Sequence, residues 1–343
     1  MKDVVLGLSG GVDSAVSARL LQDAGYRVHG LYLDIGSAAA RCDAETVADD
    51  LGVSLRVLDI AAELEEKVCR PFAESYLRGE TPNPCILCNP AVKFRALLAY
   101  ADELGGAAIA TGHYARAENG GLYRGRSAND QSYMLCRIRR EQLARLVLPL
   151  GGMEKRETRA LADTLGLPVA HKPDSMEICF IPDKDYCGWL SRRAALPGPG
   201  TFVRAGAVVG VHEGVHRWTV GQRIPGLFDG EKLYVRAIDA ATGQIEVCPD
   251  AALWQTEVTA ADFHWLIDPP GEPVRGSVKV RHSRTAEAPC TAYPEENGAV
   301  RIVCDSPVRA PAPGQSAVLY DGERVLGGGF IRESEGVKAA IFA

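Results

Sequence analysis

The sequence predicts an α/β domain on a mostly parallel sheet, followed by two small β-rich modules. Three observations carry that expectation. Through the first half, short apolar runs alternate with stretches of helical periodicity, the pattern of β–α–β units. Beyond Pro197-Gly198-Pro199-Gly200, helical periodicity all but ends. Short β-rich runs separated by Gly, Pro, Asn and Asp take its place. The 343 residues suffice for two or three domains at ~100–200 residues each. Seams at the Pro/Gly clusters give an α/β domain over 1–196, a central module over 197–268 and a last module over 269–343.

Val4–Leu8 is a short apolar run, read as a buried strand, and Asp13–Ala24 carries Val16, Leu20, Leu21 and Ala24 on one helical face before Gly25. Val28–Leu33 is a second strand, Thr46–Leu51 a short helix closed by Gly52, and Leu55–Ile60 a third strand. Helical stretches at 61–77 and 91–104 flank a loop, and Ala107–Thr111 is a fourth strand. Right-handed crossovers then cover the sheet on both faces, with ligands beyond the carboxyl ends of its strands. The β-rich runs are Ala207–Val211, Leu233–Ile238, Gln244–Val247, Gly276–Arg281, Ala299–Cys304 and Ser316–Tyr320, with a second break at Asp268-Pro269-Pro270-Gly271. They suit small barrels or sandwiches.

Composition excludes several classes. With 38 Lys+Arg against 44 Asp+Glu and a net charge of −6, a nucleic-acid site must be a local basic patch. No apolar run reaches the ~18–20 residues of a membrane helix. The opening Met1-Lys2-Asp3 and Val4–Leu8 lack a signal peptide's pattern. The 10 cysteines read as thiols of a reducing cytoplasm.

Ser9-Gly10-Gly11-Val12-Asp13-Ser14 joins the first strand to the first helix. Adjacent glycines let backbone N–H groups approach an anion, and a helix N-terminus adds positive potential. The loop is neither a Walker A motif nor Gly-x-Gly-x-x-Gly. Its sextet resembles the pyrophosphate loop of the N-type ATP pyrophosphatases, which cleave ATP between the α and β phosphates and adenylate an oxygen of the substrate.

Thr81-Pro82-Asn83-Pro84-Cys85-Ile86-Leu87-Cys88-Asn89 is the most unusual segment. Its prolines exclude regular helix just before the cysteines and predict a presented loop. The Cys-x-x-Cys pair admits half a zinc site, a redox disulfide or ligands of an iron–sulfur cluster. A third cysteine, Cys179, follows Asp174-Ser175-Met176-Glu177-Ile178. Cys42, Cys69, Cys136, Cys187, Cys248, Cys290 and Cys304 sit among ordinary neighbours.

Together these segments resemble the tRNA-specific 2-thiouridylases, in order along nearly the whole chain. The matches are Gly7–Ser14, Thr81–Pro84 with Cys88-Asn89 and Lys93-Phe94, Ala110–Ala115, Asp130–Tyr133, and Asp174-Ser175 with Glu177–Ile181. Thr219–Arg223, Val278–Arg281, Pro313–Gln315 and Val325–Gly329 follow in the β-rich part. The resemblance implies an N-type ATP pyrophosphatase domain, a small central module and a C-terminal β-barrel. It implies that ATP and Mg²⁺ are used to replace the 2-oxygen of the wobble uridine with sulfur. ATP would lie against Gly7, Leu8, Ser9, Gly10, Gly11, Val12, Asp13, Ser14, Leu33 and Gly112. Cys179 would receive a persulfide from an upstream sulfur carrier or cysteine desulfurase. Cys88 would release the sulfur and leave a Cys88–Cys179 disulfide. Asn83, Pro84, Cys85, His113, Asn129, Asp130 and Gln131 would surround the flipped-out base, and Arg281, His282 and Gln315 would reach the tRNA. The enzyme is expected to be monomeric without tRNA. The chemistry is coherent: adenylation makes the uracil oxygen a leaving group, and a soft sulfur nucleophile displaces it. The base must leave its stack to be reached.

Three departures stand out. Cys85 occupies a position that is acidic in familiar relatives, Asn129 replaces a frequent Lys, and Asp34–Cys42 is a shortened stretch without an assigned role. As an acid–base group Cys85 needs its ordinary pKa of ~8.5 lowered. As a ligand it would join Cys88 and Cys179 around an iron–sulfur cluster, one iron being left open to sulfide. Arg137, Arg139, Arg140, Arg145, Lys155, Arg156 and Arg159 form the densest basic cluster, a candidate for phosphate tracking or a solvated face balanced by Glu141, Glu154 and Glu157. Two other readings are another adenylating ligase of the superfamily and a non-catalytic iron–sulfur or zinc protein. The first lacks a glutaminase partner domain in the chain; the second gives the Ser9–Ser14 loop no purpose.

Overall fold

The computed structural model describes residues 2–126, 128–173, 178–281, 287–333 and 341–342. The chain forms two compact units: Met1–Val68, Cys85–Phe180 and Glu323–Leu326 in the first, and Cys69–Pro84, Ile181–Gly322 and Gly327–Ala343 in the second.

In the first unit, β1 (Lys2–Gly7), β2 (Tyr26–Asp34), β3 (Ser54–Asp59), β4 (Ala108–Ala110) and β7 (Leu146–Val147) form a sheet in the order β3-β2-β1-β4-β7. Every pairing is parallel, as expected of β–α–β crossovers. Val4, Leu6, Val12, Val16, Leu21, Val28, Val47 and Tyr114 build its core, with helices α1 (Val12–Asp23) and α2 (Ala38–Leu51) supplying part of it. The predicted strands stand within one or two residues of these bounds.

Helix α2 corrects the short helix expected at Thr46–Leu51. It begins at Ala38, because the Ser37 hydroxyl accepts the Ala40 N–H (3.4 Å) and Ala38-Ala39-Ala40 propagate helix well. The stretch without an assigned role is therefore the turn and opening of this helix. A second correction concerns the expected loop around the cysteines. Pro84–Cys88 is a helical turn, α5, running through a π-turn at Asn89–Lys93 into α6 (Phe94–Glu103). A proline at a first helical position is compatible with helix, since its missing N–H would be unbonded there anyway. Pro90 falls inside the helix, and the wider turn accommodates its ring: the Phe94 N–H bonds Asn89 O, five residues back. A hairpin, β5 (Ala115–Glu118) with β6 (Gly121–Arg124), meets the distant Glu323–Leu326 segment, where Arg124 N donates to Glu323 O at 2.9 Å.

In the second unit, a five-stranded sheet runs β10-β11-β12-β8-β9 from β8 (Gly200–Arg204), β9 (Ala207–His212), β10 (Arg223–Phe228), β11 (Lys232–Asp239) and β12 (Gln244–Pro249). Phe202, Val215, Leu233, Val235, Ile245 and Val247 fill its core. The remaining strands, β13 (Trp254–Trp265), β14 (Val274–Lys279), β15 (Ala288–Pro294), β16 (Val300–Arg309), β17 (Ser316–Asp321) and β18 (Arg324–Arg332), run β13-β16-β15-β14-β17-β18, and β18 returns to β13. That pairing closes the barrel and removes its edges. Closure needs Gly329, where a Cβ would stand 2.7 Å from Ala261 O.

Candidate active site

β1 leads into the loop at the carboxyl edge of its sheet, and the loop is braced by its own serines. Ser14 Oγ donates to Gly11 O (3.0 Å), accepts the Ser9 N–H (3.2 Å) and lies 3.2 Å from Ser9 Oγ. Gly10 has φ +71°, and a Cβ there would stand 2.6 Å from the Ala44 backbone nitrogen on α2. Only glycine fits both constraints. Gly11 caps α1 without a side-chain hydrogen bond, so the first N–H groups of the helix are not bonded by a capping side chain. Gly112 closes against the same turn, a Cβ there reaching within 3.0 Å of the Asp13 carbonyl carbon. Leu33 lies at the carboxyl end of β2, beside β1.

Asp13 anchors a network that sequence reading missed. Lys155 Nζ, at the first residue of α8 (Lys155–Thr164), donates to both Asp13 carboxylate oxygens at 2.8 Å. The Tyr114 hydroxyl donates to Asp13 Oδ1 (2.8 Å) and lies 2.9 Å from Thr158 Oγ1. The loop carries no lysine of its own, but a residue 142 positions away supplies one. Its partner gave no local signal, since Lys155 looked like one more member of the basic cluster. That cluster is largely engaged within the protein: Arg145 binds Ala107 O and Asp102, Arg159 binds Ala170 O and Lys172 O, and Arg156 pairs with Glu154. Its reading as a phosphate-tracking face is not favoured.

All three cysteines lie in the first unit as thiols outside any disulfide. Cys85 and Cys179 are exposed, and Cys88 is half-buried. Desolvation pushes the Cys88 thiol up to about 11, while the Lys93 charge opposes the shift; the Cys179 and Cys85 thiols lie close enough to act on it. Surrounding protein also raises Cys179, against Lys93 and the N–H groups of Cys179 and Phe180. Asn89, 1% exposed, donates Nδ2 to Met134 O (2.9 Å), and its Oδ1 has no partner among the described residues. No group of three or more metal-ligating His, Cys, Asp or Glu side chains converges among the described residues.

His113 stacks with Phe94 (6.3 Å between centroids), and its Nδ1 lies 2.7 Å from Thr111 Oγ1. Burial, aided by the Lys93 charge, holds its pKa well below the usual value. Gln131 and Tyr114 bond reciprocally: Gln131 N donates to Tyr114 O (2.8 Å), and Tyr114 N to Gln131 Oε1 (3.0 Å). Asp130 accepts from Gly125 N (2.9 Å) and from Ser132 N and Oγ (3.0 Å each), and exposed Asn129 precedes it. In the second unit, Arg281 donates to Ala310 O (3.0 Å) and Val220 O, and Gln315 Nε2 to Thr81 O (2.7 Å). Thr81 N donates back to Pro313 O at 2.8 Å. Arg281 and Gln315 thus have internal partners, and Gln315 holds the arm that runs through Asn83 and Pro84 into Cys85. His282, Asp174, Ser175 and Glu177 lie outside the described residues.

The parallel sheet and its loop define a HUP-class α/β nucleotide-binding unit joined to β-barrel modules. Residues 2–183 match the family model described as "tRNA methyl transferase HUP domain", 192–249 the "tRNA methyl transferase PRC-barrel domain", and 255–331 the "Aminomethyltransferase beta-barrel domain". Whole-chain relatives named "tRNA-specific 2-thiouridylase MnmA" include those of Syntrophotalea carbinolica (44% identity, 96% of this chain, 98% of the relative) and Rhodospirillum rubrum (44%, 96% of each). The chain belongs to the tRNA-specific 2-thiouridylase MnmA family. The "methyl transferase" wording of the models differs from the relatives' names; the relatives match all three modules at once and decide the matter. A solved NH3-dependent NAD synthetase from Campylobacter jejuni shares 24% identity over 50% of this chain and 69% of its own, with a TM-score of 0.33.

Proposed function

We propose that this protein uses ATP to replace the 2-oxygen of the wobble uridine of tRNA with sulfur. The observation that carries the reading is that one compact unit of a chain in this family contains both the braced Ser9–Ser14 loop and the thiols of Cys88 and Cys179. The uracil 2-oxygen attacks the α-phosphorus, the α–β P–O bond breaks, pyrophosphate leaves, and the N3 proton passes to solvent. Loop N–H groups and the α1 N-terminus hold the phosphates. Asp13 is the carboxylate that would hold Mg²⁺, which neutralises phosphate charge when bound. Lys155 orients that carboxylate through two hydrogen bonds.

Sulfur enters as a persulfide on Cys179, delivered in the cytoplasm by an upstream sulfur carrier or cysteine desulfurase. The terminal persulfide sulfur bonds to C2, the C2–O bond breaks, and AMP leaves with its electron pair. The Cys88 thiolate then attacks Cys179 Sγ. A Cys88–Cys179 disulfide forms, the bond to the transferred sulfur breaks, and its electron pair stays on that sulfur as the base regains a proton. An external dithiol supplies two electrons and two protons to reset the pair. Exposed Cys85, three residues before Cys88, lies beside this pathway and is assigned to the base.

The test supplies purified protein with tRNA, ATP, a dithiol and a persulfide-loaded carrier, and measures nucleosides by mass spectrometry. Wobble 2-thiouridine with one AMP and one pyrophosphate per sulfur is expected. Release of ADP, or an unmodified wobble position, would overturn the reading.

A further inference from the structure

The Lys93 ammonium has no role in the chemistry above, yet its placement is unusual. Residues five apart on an α-helix point about 140° away from one another, but the i→i+5 turn brings them back toward the same side. The π-turn at Asn89–Lys93 therefore turns Lys93 toward the Cys88 face of the helix. The Lys93 charge acts on Cys88, Cys179 and His113. Lys93 is half-buried and, among the described residues, has no hydrogen bond or ion pair with a carboxylate. Its neighbour Arg95 is exposed and paired with Glu63. A half-enclosed cation beside thiols, with no carboxylate partner among the described residues, is suited to negative charge that arises during reaction.

We infer that Lys93 is the electrostatic partner of the transferring sulfurs, stabilising the persulfide anion on Cys179 and the thiolate of Cys88 during sulfur transfer. The inference rests on the proposed thiolation. It acts through the sulfurs, and the adenylation step does not call on it. Among the described residues, the other groups acting on the sulfurs are Cys85 and the N–H groups of Cys179 and Phe180.

The test reads local charge without tRNA. Reduced full-length protein is alkylated at fixed pH with neutral iodoacetamide and with anionic iodoacetate, and modification of Cys88 and Cys179 is followed by mass spectrometry. A nearby cation favours the anionic reagent. Lys93→Met should lower the iodoacetate-to-iodoacetamide rate ratio at these cysteines at least threefold, Lys93→Arg should keep it, and Arg95→Met should leave it unchanged. Thiolation should fall with the ratio in Lys93→Met and return in Lys93→Arg. An unchanged ratio in a folded Lys93→Met protein overturns the inference whatever the tRNA result. A shifted ratio with no 2-thiouridine made by wild-type protein overturns instead the functional reading on which it rests.

Discussion

At the residue scale, Asp13 is held by Lys155 and Tyr114 in a geometry that serves phosphate chemistry. Removing a preorganised charge-stabilising group typically costs about 10²–10³ in kcat. Asp13→Asn and Lys155→Met should each lower AMP formation on that scale, measured by pyrophosphate release; normal turnover in Lys155→Met would make the pair a mere tie between α8 and α1. In the proposed reaction the cysteines divide the second half between them. Cys179→Ser should lose both persulfide and thiolated tRNA, whereas Cys88→Ser should accumulate persulfide and fail to deliver it, as intact-mass measurement would show. His113 has a linkage consequence. Its folded pKa lies well below the ordinary ~6.5, so the unfolded chain takes up the proton first. Its contribution to stability is full above pH ~6.5 and is lost as pH falls toward the folded value. Chemical denaturation between pH 7 and 5 should show a shallower acid-side loss in His113→Gln; a share of the slope will remain, because His212 and His216 are lowered too. The sequence points to the loop, Cys88 and Cys179 as candidates because each stands in a distinctive local motif. It does not point to Lys155, whose meaning comes from a partner 142 positions away.

At the scale of elements, the cysteine turn taught most. Pro82 and Pro84 argue against helix just before the cysteines, but Pro84 starts one, and the helix widens around Pro90. Periodicity registers where apolar residues recur; it cannot register a turn of altered width. Pro90→Ala restores an N–H for Ile86 O and permits a regular helix. Its folding stability should rise, by less than the ~3 kcal/mol an unrelieved interior proline costs, while thiolation should fall. Urea denaturation with a nucleoside assay would check both, and full activity in a more stable Pro90→Ala would remove any need for the π-turn. Strands escaped notice for a related reason. Ala288–Pro294 contains two prolines, and Arg324–Arg332 three consecutive glycines, compositions that argue against a strand when read alone. They stand because neighbouring strands supply their pairing and because close backbone approach at Gly329 needs a missing side chain.

At the scale of the whole molecule, the alternation of runs made the parallel sheet legible, and the cluster at Pro197–Gly200 marked where helical periodicity ends. The threading was not legible: the segment Glu323–Leu326 belongs to the first unit, beside the Gly121–Arg124 strand, and Cys69–Pro84 belongs to the second. A chain ending at Gly322 should therefore lack a strand partner in the nucleotide unit as well as closure of the barrel. Such a truncation is expected to melt at lower temperature and to release no pyrophosphate, whereas wild-type ATP turnover by it would show the segment to be dispensable. The same threading has a meaning during synthesis. Translation runs from the N-terminus, so the unit carrying the Ser9–Ser14 loop stays incomplete until Glu323–Leu326 has left the ribosome. A chain that stops short of Glu323 is expected to leave the Gly121–Arg124 strand without that partner and to be cut faster in limited proteolysis than the full chain.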